Sequence, residues 1–130
     1  MFVYADNAAT TRIAPQVLDA MLPYLKEEYG NPSTLYKLGR EAKIAIEKAR
    51  EQVAQVIGAK AEEIFFTGSG TEADNMALKG VLYGPAGKGK KHLITTKIEH
   101  HAILHTCEYL EKERGAKITY VDVDENGIVK

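Results

Sequence analysis

Apolar side chains recur along this chain at spacings that predict helices alternating with short strands. Helices are predicted over residues 15–28, 34–57, 73–82 and 102–114. Strands are predicted at residues 64–67, 93–96 and 117–123, and residues 2–4 are compatible with a further short strand. Pro15 suits the first position of the first helix, and Gly58 and Gly115 are expected to stop the second and fourth helices.

Proline, glycine and small polar residues mark the breaks between these elements. Pro23 is expected to kink the first helix or to end it early. Residues 30–33 (Gly-Asn-Pro-Ser) form a firm break, and Ser33 is available there as a cap for the next helix. Residues 6–11 (Asp-Asn-Ala-Ala-Thr-Thr) predict a polar loop, and residues 124–127 a turn.

The order strand, helix, strand, helix, strand indicates an α/β fold. Short apolar strands linked in this way are expected to form a parallel sheet flanked by helices, with right-handed crossovers. Ligands of open parallel sheets lie beyond the carboxyl ends of the strands. Residues 68–72 and residues 99–101 follow the carboxyl ends of consecutive predicted strands, so we expect them to share one edge of the sheet.

The turn at residues 68–72 (Gly-Ser-Gly-Thr-Glu) is the first candidate for chemistry. Two glycines allow a close backbone approach, and the amides that open the following helix can bind an anion such as a phosphate. The alternative is a capped helix start without a ligand, because Ser69 and Glu72 have the spacing of a capping box. The residue pattern alone leaves both interpretations open.

The second candidate is the sequence Glu99-His100-His101. The His100 imidazole suits proton transfer and can also lie flat against an aromatic ligand, whereas its alternative role is to cap the next helix. His101 and His105 have the i, i+4 spacing of metal ligands, but the sequence offers no evident third ligand, so no metal site is predicted and surface positions are favoured.

Composition and charge limit the class of protein. A chain of 130 residues with 45% hydrophobic and 27% charged residues suits one globular domain. Its formal net charge of -1 gives no electrostatic argument for binding nucleic acid or anionic membranes. The single cysteine, Cys107, excludes an internal disulfide and suits a packing role. Without a membrane-length apolar run or a signal-peptide pattern, a cytoplasmic location is expected.

Four segments in order resemble the class V, fold-type I pyridoxal-phosphate (PLP) enzymes. They are residues 6–11, residues 30–33, residues 66–75 (Phe-Thr-Gly-Ser-Gly-Thr-Glu-Ala-Asp-Asn) and residues 99–102 (Glu-His-His-Ala). The pattern most resembles the cysteine desulfurases of the NifS/IscS type, which supply sulfur for iron–sulfur clusters. It spans the whole chain but only the N-terminal part of such an enzyme, which is a much longer chain that forms a homodimer.

The resemblance implies a cofactor, a reaction and site residues. Gly70 and Thr71 match the pair that contacts the phosphate of PLP, and His100 matches the histidine that stacks on the pyridine ring and takes part in proton transfer. Asn7 matches a segment near the substrate end of the site. The implied reaction converts L-cysteine to L-alanine and an enzyme persulfide, with an iron–sulfur scaffold protein as a further partner. Gly70 stands where many relatives have alanine, and Tyr36 where many have histidine.

The resemblance also implies a division of the chain and a limit to its activity. Residues 1–14 are expected to belong to the small domain of the family, and residues 15–130 to an incomplete large, PLP-binding domain. The Schiff-base lysine and the sulfur-accepting cysteine of the family match no residue here, so a catalytically inert fragment is expected. The alternatives are another class V enzyme, such as a selenocysteine lyase or an aminotransferase, and a non-enzymatic phosphate-binding or dimerising module.

Overall fold

The computed structural model describes residues 1–130, apart from the side chain of Ala86. The described chain contains four α-helices and two β-strands: α1 Pro15–Lys26, α2 Lys37–Ile57, α3 Gly70–Tyr83, β1 His92–Thr96, α4 His101–Arg114 and β2 Lys117–Val121. Short 3-10 helices lie at Ala61–Glu63 and Pro85–Gly87. The chain divides into two compact units, Met1–Phe65 and Phe66–Lys130. No helix among the described residues has both the length and the apolar character to cross a membrane.

The first unit contains α1 and α2, and α2 provides its small core. Ala42, Ala54 and Ile64 are buried there. A Cβ on Gly39 would overlap the Thr34 hydroxyl and the Asn31 carbonyl, so glycine allows the preceding turn to lie directly against the start of α2. No residue of α1 is buried among those that the structure describes, and its apolar face remains largely exposed.

The second unit contains the sheet and the helix pair that positions the candidate site. β1 and β2 pair in parallel, with His92 opposite Lys117 and Thr96 opposite Val121. Helix α4 packs against both α3 and β2. Its side chains Cys107 and Leu110 are fully buried, and burial of such apolar groups is the main stabilising contribution here.

Most of the predicted elements are confirmed with shifted ends. The parallel strand pair and the helix between its strands are present as predicted, although β2 ends at Val121 rather than at residue 123. Gly58 and Gly115 end α2 and α4 with φ values of 68° and 64°, which are left-handed conformations that favour glycine. Asp124 closes the predicted turn by accepting the amides of Asn126 and Ile128.

The prediction of a strand at residues 64–67 is wrong, and no strand forms at residues 2–4. Ile64 is buried and extended, but no described strand lies beside it, and its carbonyl accepts a hydrogen bond from the Arg50 guanidinium instead. Phe65 and Phe66 of this segment are 69% and 54% exposed. An extended apolar segment becomes a strand only when another strand satisfies its backbone groups.

The boundaries of α1 and α2 also differ from the prediction. Ser33 does not cap α2, because it lies in a separate turn at residues 31–34, in which the Asn31 side chain accepts from the Ser33 amide and the Asn31 carbonyl accepts from Thr34. Helix α2 therefore begins at Lys37 with no side-chain cap. Helix α1 continues past Pro23 to Lys26, so Pro23 does not end it at once.

Candidate functional site

A cleft of about 450 Å³ lies between α3 and α4 in the second unit. Its α3 side is formed by Thr71, Asn75 and Lys79, which are spaced by four residues and so share one helical face. The opposite side is formed by residues of α4 and by the residue that precedes it: His100, His101, Ala102, His105, Thr106 and Tyr109. The structure therefore brings Thr71 and His100 to one cavity, although the strand expected before Thr71 does not form.

The start of α3 is capped and still presents free amides. The Ser69 hydroxyl accepts a hydrogen bond from the Glu72 amide at 3.2 Å, and the Glu72 carboxylate accepts one from the Gly68 amide at 2.7 Å. The backbone amides of Gly70 and Thr71 donate no hydrogen bond to any described residue. The capped start that was the alternative to phosphate binding is thus present, and it leaves two donors at the positive end of the helix dipole.

Open space adjoins Gly70, the first residue of α3. A Cβ on Gly70 would meet no atom within 4 Å. An anion can therefore approach the helix start without steric hindrance, and an alanine at this position would be accommodated.

Hydrogen bonds from its own side chains hold the turn at residues 67–72 in place. The Thr67 hydroxyl donates to the Ser69 carbonyl at 3.1 Å, in addition to the contacts of Ser69 and Glu72. Glu72 is directed to the Gly68 amide, and the described residues that line the cleft include Lys79 but no carboxylate. Electrostatically, the α3 side of the cleft suits an anionic ligand.

His100 occupies the N-cap position of α4. Its Nδ1 accepts a hydrogen bond from the Ala102 amide at 3.1 Å, so the capping role that the sequence left open is present. An accepting Nδ1 places the proton of the neutral ring on Nε2. Because Nε2 has no hydrogen-bond partner among the described residues, the ring retains one nitrogen for a ligand.

His101 and His105 are exposed on the first turns of α4 and face the same cleft. Their ring centres lie 5.4 Å apart, and Nδ1 of His105 is 3.5 Å from a carboxylate oxygen of Glu108. No group of three or more histidine, cysteine, aspartate or glutamate side chains able to hold a metal ion occurs in the described part of the chain.

Cys107 faces the core of the second unit and not the cleft. Its side chain is fully buried, and burial raises the pKa of the Cys107 thiol, with smaller contributions from the negative charges of Glu111 and Glu99. The thiol therefore stays protonated and unreactive at neutral pH.

Asn7 belongs to the first unit, in an exposed turn that the Asp6 carbonyl closes by accepting the Ala9 amide at 3.1 Å. The sequence interpretation missed Asn75, Lys79 and Tyr109 as residues of the cleft. The ammonium group of Lys79 lies 5.1 Å from the centre of the Tyr109 ring, which fixes it at the cleft wall. Asn75 and Lys79 could have been identified from the sequence, because they lie four and eight residues after Thr71 on the same helical face.

Comparisons with known proteins show which family the chain is similar to. A family model described as aminotransferase class-V matches residues 3–130. A protein of Dictyoglomus turgidum named cysteine desulfurase IscS is 54% identical over 127 residues, which are 98% of this chain and 32% of that protein.

Two solved structures extend the similarity to three dimensions. A structure named NifS-like protein superposes with a TM-score of 0.90 and 48% identity, covering 100% of this chain and 35% of that one. A structure named SspA in complex with cysteine superposes with a TM-score of 0.79 and 40% identity, over 90% of this chain and 33% of that one. The chain thus spans about a third of the length of the curated relatives that it matches.

Proposed function

The chain belongs to the aminotransferase class-V family, and on that basis we propose that it forms the N-terminal part of a PLP-dependent cysteine desulfurase. In the proposed reaction the C–S bond of L-cysteine is broken, the sulfur passes to an enzyme thiol to give a persulfide, and L-alanine is released. The identity to proteins named cysteine desulfurase and the likeness to a structure that contains cysteine support this substrate. A polypeptide of the relatives' length that carries these 130 residues is hereafter the full-length enzyme.

The observation that carries the proposal is that Thr71 and His100 line one cleft at the start of α3. The amides of Gly70 and Thr71, together with the Thr71 hydroxyl, would hold the phosphate of PLP. These groups fit a dianion because they are donors at a helix N-terminus, with open space beside Gly70.

His100 has two tasks in the proposed site. Its ring would lie against the pyridine ring of PLP, and its Nε2 would hold or release a proton during the reaction. The hydrogen bond from the Ala102 amide to Nδ1 fixes which nitrogen carries the proton and restricts rotation of the ring. When bound, PLP supplies an electron-withdrawing ring that stabilises negative charge developing at the substrate Cα.

The remaining catalytic groups are assigned to parts of the full-length enzyme outside these residues. Cys107 does not suit sulfur acceptance, because its thiol is buried and its pKa is raised. The proposal places the acceptor thiol and the Schiff-base lysine elsewhere in the full-length enzyme, so the chain alone is expected to be inactive. It assigns residues 1–14 to the small domain, with Asn7 near the substrate, and residues 15–130 to the large domain.

Exposed apolar side chains support further protein contacts. On α1, Val17, Leu18, Met21 and Leu25 are 43–68% exposed, and a continuous apolar face of this kind marks an interaction surface. The proposal assigns such faces to the rest of the full-length enzyme and to the second subunit of a homodimer. We further propose that the enzyme is cytoplasmic and that an iron–sulfur scaffold protein receives the sulfur.

The test is a product analysis of the full-length enzyme loaded with PLP. With L-cysteine and a thiol reductant, the proposal expects L-alanine and sulfide in equal amounts, because each turnover releases one alanine and the reductant removes the persulfide sulfur. Matched reactions with L-selenocysteine and with amino donor and 2-oxo acid pairs distinguish the other class V activities. Turnover of one of these without alanine formation from L-cysteine would refute the proposed substrate.

A further inference from the structure

The imidazoles of His101 and His105 are neighbours on one face of α4. They lie on successive turns of α4 with ring centres 5.4 Å apart and ring planes inclined by 39°. Both side chains are exposed within the described chain. We propose that this pair, the di-histidine site, binds a divalent transition-metal ion such as Zn²⁺, with water completing the coordination.

The spacing of the two rings agrees with tetrahedral coordination. A zinc ion bound to an imidazole nitrogen at about 2.0–2.1 Å lies roughly 3.2 Å from the ring centre. When one nitrogen of each ring faces the ion, ring centres 5.4 Å apart subtend an angle of about 115° at it, close to the tetrahedral value that zinc adopts. The i, i+4 spacing on one helix face is also that of paired zinc-binding histidines.

Glu108 supplies the outer-shell contact that ligating histidines usually have. Its carboxylate oxygen lies 3.5 Å from Nδ1 of His105. A proton on Nδ1 directed to this carboxylate leaves the lone pair of Nε2 for the metal and increases its basicity. The interaction also restricts the ring, which lowers the entropic cost of binding.

Neighbouring groups define the composition of the site. His100 is not a ligand, because its Nδ1 accepts the Ala102 amide, which places the proton of the neutral ring on Nε2 and leaves no free lone pair for a metal, and its ring stands edge-on to His101 at 6.1 Å. Cys107 is fully buried and does not compete for the ion. Two nitrogen ligands without a carboxylate select Zn²⁺ or Cu²⁺ over Mg²⁺, which prefers oxygen ligands. With two protein ligands, binding is reversible and a chelator removes the ion.

The test is calorimetric titration of the metal-free full-length enzyme with ZnCl₂. One ion per chain is expected, and His101→Gln and His105→Gln should each weaken the affinity at least tenfold. His92→Gln is the matched control, because it removes an exposed histidine that lies on β1 and contacts Thr119 instead. It should change the affinity less than twofold, and MgCl₂ should give no comparable binding.

Glu108→Gln separates the outer-shell contact from ligation. It should weaken Zn²⁺ binding by less than the loss of either histidine, with the stoichiometry unchanged. Circular dichroism of every variant verifies that α4 is intact, since all four substituted side chains are exposed. Equal Zn²⁺ affinity in His101→Gln, His105→Gln and His92→Gln, or the absence of Zn²⁺ binding by the parent enzyme, would overturn the assignment.

Discussion

Nδ1 of His100 accepts the backbone amide of Ala102 at 3.1 Å, so the side chain that lines the candidate cofactor cleft also caps α4. The two roles use different atoms of one ring. The cap uses the Nδ1 lone pair, whereas stacking uses the ring face and proton transfer uses Nε2. Substitutions can therefore separate the contribution of His100 to stability from its contribution to the reaction.

His100→Asn should preserve the cap and remove the imidazole. Asparagine is a favoured N-cap residue, so the free energy of unfolding of the chain should stay close to that of the parent, whereas His100→Ala should lose about 0.5–2 kcal/mol. Both variants should lower the desulfurase rate of the full-length enzyme by about 10²–10⁴, the usual contribution of a general acid or base. Urea unfolding and alanine release measure the two effects. Parent-like turnover in His100→Asn would contradict the catalytic role.

Ser69→Ala should destabilise the start of α3. The Ser69 hydroxyl satisfies the Glu72 amide at 3.2 Å, and its loss should lower the free energy of unfolding by about 1 kcal/mol. Ser69→Asp keeps an acceptor at the N-cap and should remain close to the parent in stability. Urea unfolding of the chain compares the three proteins. Equal stability of the alanine variant and the parent would show that the cap is dispensable.

The helix ends and the strand at residues 64–67 show what local sequence can predict. Gly58 and Gly115 are predictable because a left-handed residue after a helix is a local requirement that glycine meets best. A strand at residues 64–67 would need a partner strand that the sequence does not specify, so none forms there and Phe65 is exposed. Ser33 is an adequate cap by type, but it lies in the turn at residues 31–34 and α2 begins only at Lys37.

Two glycine substitutions should have opposite effects on stability. Gly80 lies inside α3, and a Cβ added there would have no atom within 4 Å, so Gly80→Ala should raise the free energy of unfolding by about 0.5–1 kcal/mol. Gly115 has a φ of 64°, so Gly115→Ala should lower the free energy of unfolding by roughly 1 kcal/mol. Chemical denaturation of the chain measures both. A stabilising Gly115→Ala would contradict the left-handed end of α4.

Stability should decline in alkaline solution because of Cys107. Burial raises the pKa of its thiol, so above about pH 8.5 the unfolded thiol ionises while the folded thiol remains protonated. The unfolded state then binds fewer protons, and the free energy of unfolding falls as pH rises towards the folded pKa. Tyr120, whose pKa is also raised chiefly by burial, acts in the same direction at higher pH.

Cys107→Ala provides the control for this pH dependence. Its free energy of unfolding should be lower at neutral pH, because a buried side chain is shortened, but should fall less steeply between about pH 8 and 10. Urea titrations at several pH values measure the two slopes. Identical slopes in the parent and in Cys107→Ala would show that the thiol is not responsible.

The parts of the candidate site that depend only on neighbouring residues in the sequence could be predicted. The Gly68–Thr71 turn and His100 could be identified from residue types at element boundaries, and the structure places Thr71 and His100 in one cleft. Lys79 and Tyr109 could not be paired from sequence, because their contact depends on the packing of α3 against α4. The same packing determines which face of α4 presents His101 and His105.

The affinity of the full-length enzyme for PLP after Thr71→Val is the decisive measurement for phosphate binding at the start of α3. Valine keeps the shape of threonine and removes the hydroxyl proposed to contact the phosphate, while Thr71→Ser keeps the hydroxyl as a control. Equilibrium dialysis of the apoenzyme should show binding weakened by about 1–3 kcal/mol in Thr71→Val, the scale of a lost hydrogen bond to a charged group. The serine variant should bind nearly as well as the parent. Unchanged PLP affinity in Thr71→Val would contradict phosphate binding at the start of α3.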